Sequence, residues 1–204
     1  RDDVESRGLG DVYKRQNISR AKYSTDYPCS FMFVASMNPC PCGYYGDPTH
    51  RCVCTPGQIQ RYMNKISGPL LDRIDIQCEI SPVPFQDISK AAPGEPSAKI
   101  RERVIKAREV QAERFKDYKG IHCNAQMTER MIHQFAEPDE QGIELLRMAM
   151  EKLSLSARAY NRILKVARTI ADLAESEQIK PDHIAEAVGY RTLDRGDWAE
   201  RGHL

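Results

Sequence analysis

The sequence has no apolar run that approaches the roughly 20 residues of a transmembrane helix. It does not open with a basic segment followed by an apolar one, so a secretory signal peptide is not predicted either. Its 30 Lys and Arg residues nearly balance 29 Asp and Glu residues, and the net charge of +1 gives no global signal for nucleic-acid binding. With 41% hydrophobic and 29% charged residues in 204, we expect a soluble globular chain without membrane contact.

A disulfide framework is also not predicted, because the seven cysteines are an odd number and four of them form two close pairs. That pattern favours a reducing compartment and a metal site, and we expect a cytoplasmic location.

The two pairs are Cys40 with Cys42 and Cys52 with Cys54. Together they offer four thiolates to a tetrahedral Zn²⁺, and four such ligands leave no open position for water, so the zinc would be structural. Paired cysteines in zinc sites usually have two residues between them, whereas these have one, and His50 is an alternative ligand. Buried free thiols or a redox pair are the other interpretations of these residues.

The opening residues 1–16 have no apolar periodicity and no evident partner in the rest of the sequence. The string from Asp11 to Gln16 resembles translated adapter sequence, and a natural flexible terminus is the alternative. We expect residues 1–16 to be a non-native or disordered leader, and the remainder to begin within a domain.

The next part of the sequence has the pattern of an α/β fold. Phe31–Met37 is a continuous apolar run, which is typical of a strand buried on both faces of a mainly parallel sheet. Thr55-Pro56 predicts the start of a helix, and Gly68-Pro69 predicts its end. Isoleucines alternate with polar residues over Ile74–Ile80, which predicts a half-buried strand.

Two domains follow from this pattern. Residues 17–84 are predicted to be the C-terminal part of an α/β core, with a cysteine-rich loop at 38–54. Residues 85–97 are rich in proline and form the predicted linker. Residues 98–204 are predicted to be an all-helical domain, because apolar residues recur there at helical spacing. Its helices are expected at about 98–119, 128–135, 138–153, 156–176 and 181–190.

Asn38 lies where the predicted strand Phe31–Met37 leaves its sheet. Ligands bind at that edge of open α/β sheets, and an amide there can orient a water molecule or bond a phosphate oxygen without adding charge. The alternative is an ordinary strand-end asparagine before Pro39, which turn chemistry favours.

Arg73 lies on a predicted short turn before the strand Ile74–Ile80. A guanidinium on a rigid turn suits the stabilisation of a transferring phosphoryl group, often across a subunit interface. The alternative is an ion pair with Asp72 or Asp75.

Basic residues also mark two helices. Arg158, Arg162 and Lys165 share the polar face of one, and Arg158 falls in its first turn, where the helix N-terminus favours an anion. A solvated basic face is the alternative. The segment 98–119 has eight basic and four acidic residues and could touch a phosphate backbone, but a solvated strut is the commoner role of such a helix.

Three separated motifs resemble the magnesium-chelatase-like AAA+ ATPases of bacteria, of the ComM/YifB type. They are MNPCPCGYYG at 37–46, SGPLLDRID at 67–75, and LSARAY at 155–160 with VARTIAD at 166–172. They occur in the order that the family has, and the resemblance runs from about Asn17 to His203. The cysteine loop separates this branch from true magnesium chelatase subunits.

The resemblance implies a fold and three catalytic residues. The α/β part would be the truncated end of a P-loop-type AAA+ core, and the helical part its lid. Asn38 matches sensor 1, which positions the attacking water. Arg73 matches the arginine finger, which reaches the nucleotide of the neighbouring subunit. Arg158 matches sensor 2, which contacts the γ-phosphate of ATP bound by its own subunit.

The resemblance also implies ATP and Mg²⁺ as cofactors of the full-length parent, a homo-hexameric ring, and DNA as the partner in branch migration or helicase activity. The sequence lacks the phosphate-binding pattern G-x-x-x-x-G-K-[ST] and an Mg²⁺-binding acidic motif, so we expect this chain alone to be inactive. Two other functions stay open: a non-catalytic zinc-stabilised module that binds nucleic acid or protein, and a motor that inserts metal into a porphyrin. The cysteine loop argues against the second.

Overall fold

A computed structural model describes residues 15–20, 23–28, 31–80, 83 and 94–191. Within these ranges the elements are two strands, seven α-helices and one 3₁₀ turn at Asn124–Gln126. The strands are β1 (Arg15–Arg20) and β2 (Tyr23–Pro28). The helices are α1 (Pro56–Met63), α2 (Gly68–Leu71), α3 (Ser97–Arg114), α4 (Glu129–Phe135), α5 (Glu140–Leu153), α6 (Ala157–Leu173) and α7 (Pro181–Gly189).

The two strands form an antiparallel hairpin that sequence analysis missed. Arg15 lies opposite Pro28, and Arg20 lies opposite Tyr23. Arg15 and Gln16, the last two residues of the predicted leader 1–16, pair with β2, while residues 1–14 lie outside the described part of the chain, so the leader stays a prediction. The strand gave no signal because its sequence, RQNISR, has one apolar residue and no alternation.

The helical half has a continuous apolar core. Helix α7 packs on α5 and α6, and α3 packs on α6. A short parallel bridge between Pro138 and Ile179 ties the start of α5 to the segment before α7. The core combines side chains from the end of α3 onward through α7, among them Phe115, which directly follows α3, and Met131, Leu146, Ile163, Leu164, Ile179 and Ile184.

Three helices in this half begin directly after a residue whose side chain caps the first turn. The Thr128 hydroxyl accepts a hydrogen bond from the Met131 backbone N–H, and the Asp139 carboxylate accepts one from the Gly142 N–H. At the start of α6, the Ser156 hydroxyl accepts a hydrogen bond from the Ala159 N–H. The helices begin and end within a few residues of the expected positions, with α3 ending earliest relative to expectation, at Arg114.

The predicted buried strand Phe31–Met37 is wrong for the described structure. These residues have no regular secondary structure, and Met32 and Val34 are 88% and 80% exposed. A strand buried on both faces needs neighbouring strands and covering helices. The described ranges provide neither beside this segment, so its apolar side chains lie open to solvent.

The predicted strand Ile74–Ile80 is wrong as well, since this segment is also irregular. Its pattern of burial is inverted: Gln77 is buried, whereas Ile76 and Ile80 are exposed. Gln77 is buried because it contacts the helical half, where its backbone N–H donates to the Tyr190 carbonyl at 2.8 Å. Gly68-Pro69 opens the short helix α2, with Pro69 in its first turn, while α1 has already ended at Met63.

The predicted linker 85–97 lies mostly outside the described residues, which resume at residue 94. Its limits, and those of the domains on either side, stay predictions. None of the described helices is long and apolar enough to cross a membrane.

Candidate metal centre and arginine segment

The four paired cysteines come together in space, as the sequence predicts. The Sγ atoms of Cys40, Cys42, Cys52 and Cys54 all lie within 4.8 Å of one another. The separations from Cys40 to Cys42 and to Cys52 are 3.3 and 3.7 Å, and Cys42 lies 3.5 Å from Cys52. These distances exceed the disulfide bond length of about 2.05 Å, and the described cysteines are free thiols.

The cluster has the dimensions of a zinc site. Zn–S bonds of about 2.3 Å in a tetrahedron place the sulfur atoms about 3.8 Å apart. The separations among Cys40, Cys42 and Cys52, 3.3 to 3.7 Å, are close to that value, and the Cys54 sulfur lies within 4.8 Å of the other three, a geometry near that of one tetrahedral ion. The donor set, with four soft sulfur ligands, fits zinc better than a hard cation.

The thiols of the cluster differ in acidity. Hydrogen bonds from the backbone N–H groups of Tyr44 and then Val53 lower the pKa of Cys42 to about 6. For Cys52, the backbone N–H of Cys54 acts in the same direction, but desolvation and the adjacent thiols outweigh it and raise the pKa to about 12. One thiolate is thus favoured at neutral pH, and further thiolates so close together need a cation to balance their charge.

The loop between the pairs is shaped by glycine and by one aspartate. Gly43 and Gly46 have φ values of 86° and 80°, a region that side chains disfavour. The Asp47 carboxylate accepts hydrogen bonds from the Thr49 hydroxyl and N–H, at 2.7 Å each, and from the His50 N–H at 3.1 Å. The bonds from Thr49 and then His50 lower the pKa of Asp47 to about 2.

His50 lies outside the thiol cluster. Its Nδ1 is 2.9 Å from the Thr49 hydroxyl and 3.3 Å from an Asp47 carboxylate oxygen. Its ring stacks on Tyr44 with centroids 4.9 Å apart. The ligand group found among the described residues consists of the four cysteines without this histidine.

The second cysteine pair leads directly into α1. Thr55 and Gln58 form a reciprocal capping box: the Gln58 side chain accepts from the Thr55 N–H at 2.8 Å, and the Thr55 hydroxyl accepts from the Gln58 N–H at 3.4 Å. This cap fixes the chain immediately after Cys54. At the other end of the loop, Asn38 is exposed and lies two residues before Cys40.

Arg73 is exposed on the turn after α2, as predicted. Its Nη1 donates to the Pro69 carbonyl at 2.6 Å, and it makes no ion pair with a described residue. Asp72 and Asp75, its alternative partners, interact with the helical half of the chain. The alternative of an ion pair with either aspartate is therefore not observed.

The segment 72–77 joins the helical half through a set of contacts that we call the junction. Ser156 Oγ donates to Asp72 Oδ2 at 3.3 Å, and Arg162 forms an ion pair with Asp75. Three further contacts involve Tyr190 and Arg191, just after α7: the Gln77 N–H bonds the Tyr190 carbonyl, Arg191 Nη1 donates to the Ile74 carbonyl at 2.8 Å, and Arg191 Nη2 lies 3.8 Å from Asp72 Oδ1.

The basic face of α6 is only partly solvated. Arg158 is exposed in the first turn, two residues after Ser156. Arg162 pairs with Asp75, and Lys165 Nζ donates to the Ala125 carbonyl at 3.1 Å. Of the three predicted basic residues, Arg158 is the one exposed to solvent in the described structure.

A buried polar network, missed by sequence analysis, centres on Asp172. Arg114 donates two hydrogen bonds to its carboxylate, at 2.7 and 2.6 Å, and Asn124 and Arg168 donate one each, at 2.8 and 3.0 Å. Arg168 also donates to the Ser176 and Glu177 carbonyls, at 2.6 and 2.7 Å. The only sequence signal was the spacing of Arg168 and Asp172, four residues apart in a helix. The network joins α3 to α6.

Two family models match nearly all of the described chain. Residues 94–191 match the model "Magnesium chelatase, subunit ChlI C-terminal", and residues 13–88 match "Magnesium chelatase, subunit ChlI". The chain belongs to the magnesium-chelatase-like AAA+ family. The second match begins within the predicted leader 1–16, which agrees with the pairing of Arg15 and Gln16 in the hairpin.

Curated relatives place the chain within the ComM/YifB branch of this family. It is 42% identical to "Competence protein ComM" of Haemophilus influenzae over 87% of this chain, and 42% identical to "Uncharacterized protein YifB" of Escherichia coli over 88%. An uncharacterized protein of Mycobacterium tuberculosis is 36% identical over 81%. The aligned part is 34%, 34% and 32% of these relatives, so the chain spans about a third of their length.

Proposed function

We propose that the chain is the sensor, arginine-finger and lid portion of an ATP-hydrolysing AAA+ motor that acts on DNA. In this proposal Asn38 is sensor 1, Arg73 is the arginine finger and Arg158 is sensor 2, while the phosphate-binding loop and Mg²⁺ ligands belong to the rest of the parent protein. The observation that supports it most directly is the exposure of two arginines, neither of which forms an ion pair with a described residue, on elements joined at the junction.

The position of Arg158 suits contact with a terminal phosphate. It follows the N-cap Ser156 in the first turn of a 17-residue helix, where unpaired N–H groups and the helix dipole favour negative charge. Arg73 lies on a turn of a separate element, and its motif resembles that of an arginine finger. We therefore assign Arg73 to the nucleotide of a neighbouring subunit, in a homo-hexameric ring.

We also propose that Cys40, Cys42, Cys52 and Cys54 hold one structural Zn²⁺. The sulfur separations and the soft donor set support this assignment. Bound zinc would fix both ends of the loop 40–54 and hold Asn38 at a defined distance from α1. His50 is not part of the proposed ligand set.

The exposed segment Phe31–Met37 fits this proposal as a strand of the parent α/β core, whose faces other parts of the full-length protein would cover. The DNA partner and the branch-migration activity are suggested by the family and by the name of the Haemophilus relative, a competence protein. We also propose a cytoplasmic location, where the reducing environment would keep the described cysteines as free thiols.

Hydrolysis of ATP by the full-length protein, with and without branched DNA, tests the proposal. We expect branched DNA to stimulate hydrolysis, and Arg73→Ala to leave nucleotide binding intact while lowering turnover about a thousandfold, the scale known for arginine fingers. As a matched control, Arg147→Ala removes an arginine whose ion pairs lie on the exposed face of α5 and should leave turnover unchanged.

The 204-residue chain alone is expected not to bind ATP measurably, because sensor and finger residues contact only the terminal phosphate. Isothermal titration with a non-hydrolysable analogue would contradict this if it gave micromolar affinity. A full-length protein that binds DNA but never hydrolyses ATP would instead support the non-catalytic zinc-stabilised module.

A further inference from the structure

We propose that Asp72 and Asp75 are positioning residues, which hold the Arg73 turn against the lid so that the arginine finger and sensor 2 of one subunit move as a unit. This inference rests on the proposed function, in which Arg158 contacts the subunit's own nucleotide and Arg73 contacts its neighbour's. Contacts between the Arg73 turn and the lid would then link two adjacent nucleotide sites of a ring.

The first part of the link is the bond between Asp72 and the start of α6. Ser156 Oγ donates to Asp72 Oδ2 at 3.3 Å while also accepting from the Ala159 N–H at 3.2 Å as the N-cap. Asp72 directly precedes Arg73, and Ser156 lies two residues before Arg158. A single hydrogen bond therefore connects the residue before Arg73 to the N-cap residue two positions before Arg158.

The second part is the ion pair between Asp75 and Arg162. It lies on the other side of Arg73, and its side chains are 50% and 29% exposed, so it is accessible to solvent but partly shielded. Arg162 follows Arg158 by one helical turn, on the same side of α6. The two aspartates that flank Arg73 thus bond two successive turns of one helix.

Backbone contacts fix the same segment from a second direction. The Ile74 carbonyl accepts from Arg191 Nη1 at 2.8 Å, and the Gln77 N–H donates to the Tyr190 carbonyl at 2.8 Å. Both Gln77 and Arg191 are buried. The turn is therefore bonded to the start of α6 and to the residues after α7, which constrains its orientation as well as its distance from the lid.

This arrangement leaves the Arg73 guanidinium available for a partner outside the chain. Its two acidic neighbours are engaged by Ser156, Arg162 and Arg191, and its own hydrogen bond is to the Pro69 carbonyl. A shift of α6 when Arg158 meets a γ-phosphate would displace the Arg73 turn in the same direction. Loss of either aspartate should therefore lower turnover without weakening ATP binding.

The test compares ion-pair variants in the full-length protein. Asp75→Asn and Arg162→Gln should each lower kcat about fivefold, the scale of a partly exposed ion pair, and leave KM for ATP unchanged. The exchanged pair Asp75→Arg with Arg162→Asp should restore kcat to within about twofold of the wild type, because the ion pair is re-formed in reverse. Glu144→Gln, which breaks an exposed ion pair on α5, serves as the matched control.

Single variants with wild-type kcat, or an exchanged pair that folds with the wild-type Tm but recovers nothing, would overturn the positioning role. If the exchanged pair does not fold, Asp72→Ala decides, since it removes the bond to Ser156 and should lower kcat with KM unchanged. The kcat of Arg73→Ala is measured in parallel. If Arg73→Ala lowers kcat a thousandfold while the Asp75 and Asp72 variants keep the wild-type kcat, this inference alone is overturned. If Arg73→Ala keeps the wild-type kcat, both the proposed function and the positioning role are overturned.

Discussion

Residues 97–191 are held together by an apolar core, whereas residues 31–80 bury very little apolar surface. Of the 18 buried hydrophobic residues among those described, 16 lie in the helical half, and Cys40 and Ile59 are the other two. The first region instead depends on a cysteine cluster, a capped helix and the junction. The two regions therefore have different sources of order, although the sequences of both contain runs of apolar residues.

Removing the proposed zinc should have the largest effect, and should affect only the first region. Structural zinc sites contribute on the order of 10 kcal/mol of binding free energy. Protein purified without added zinc should contain about one equivalent, as expected for one four-ligand site. Cys42→Ser should lose it and expose residues 40–63 to hydrogen exchange, while α6 stays protected. Cys78→Ser, which changes an exposed cysteine outside the cluster, is the control. Full zinc occupancy in a Cys40/Cys52 double mutant would exclude this ligand set.

Breaking the Asp172 network should have the largest effect on the helical half. Asp172→Ala leaves Arg168 buried without its carboxylate and should cost about 3–5 kcal/mol of unfolding free energy. Glu113→Ala, which removes an exposed ion pair with Lys116, is the matched control and should change stability by less than about 1 kcal/mol. Urea denaturation monitored by circular dichroism measures both; equal effects of the two variants would refute a stabilising role for the network.

The same network predicts a pH dependence. Burial acts to raise the pKa of Asp172, but hydrogen bonds from Arg114 and Asn124 outweigh it, and the pKa lies below its usual value. Because the folded-state pKa is below the unfolded one, the stabilisation is complete above the unfolded value of about 3.9 and is lost as pH falls through the folded value. The wild-type chain should therefore lose more stability than Asp172→Ala on acidification below pH about 4, and parallel pH profiles would contradict this.

Two truncations to alanine, one in each region, measure how much each region depends on apolar packing. Ile163 is fully buried, so Ile163→Ala should cost about 3 kcal/mol in the 204-residue chain. Val34 is 80% exposed, so Val34→Ala should change stability by less than about 0.5 kcal/mol in the same chain. In the full-length protein the Val34 effect should rise above about 1 kcal/mol if Phe31–Met37 becomes a buried strand of the proposed core. An unchanged, small effect there would argue against that strand.

The sequence predicted the features that depend on neighbouring residues and failed for those that depend on distant contacts. Helix starts at Thr55, Asp139 and Ser156 were predictable because each depends on a cap within three residues. The cysteine cluster was predictable because its ligands lie within 15 residues of one another. The strands predicted at Phe31–Met37 and Ile74–Ile80 are absent from the described structure because burial of a strand depends on distant partners, which local periodicity does not identify.

The junction and the Asp172 network were missed for a related reason. Asp75 and Arg162 are 87 residues apart, and Arg114 and Asp172 are 58 apart. No local spacing relates such pairs, and each aspartate has nearer basic residues that are equally plausible partners on sequence alone. The resemblance of the motif around Arg73 to an arginine finger gave the position of the residue but not the contacts that orient it.

Exposed ion pairs should have the smallest effects. Arg147 bonds Glu144 and Glu151 on one face of α5, with all three side chains more than half exposed. The pKa of Glu144 is lowered by its bond to Arg147, but solvent screens pairs of this kind. Arg147→Ala should therefore lower Tm by less than any of the other variants above, with the exceptions of Glu113→Ala and Val34→Ala. A larger loss of Tm would mean that the exposed ion pairs of α5 contribute more to stability than we expect.

The central proposal is that Arg73 and Arg158 serve ATP hydrolysis from different subunits. The most direct test mixes full-length Arg73→Ala subunits with subunits whose phosphate-binding loop has been inactivated, and measures ATP turnover. We expect partial recovery, because a hybrid interface combines an intact nucleotide site with an intact Arg73. Mixing Arg73→Ala with Arg158→Ala subunits should also recover activity, since one class of hybrid interface then carries both arginines. Mixed rings that form but recover no turnover in either experiment would contradict the proposal.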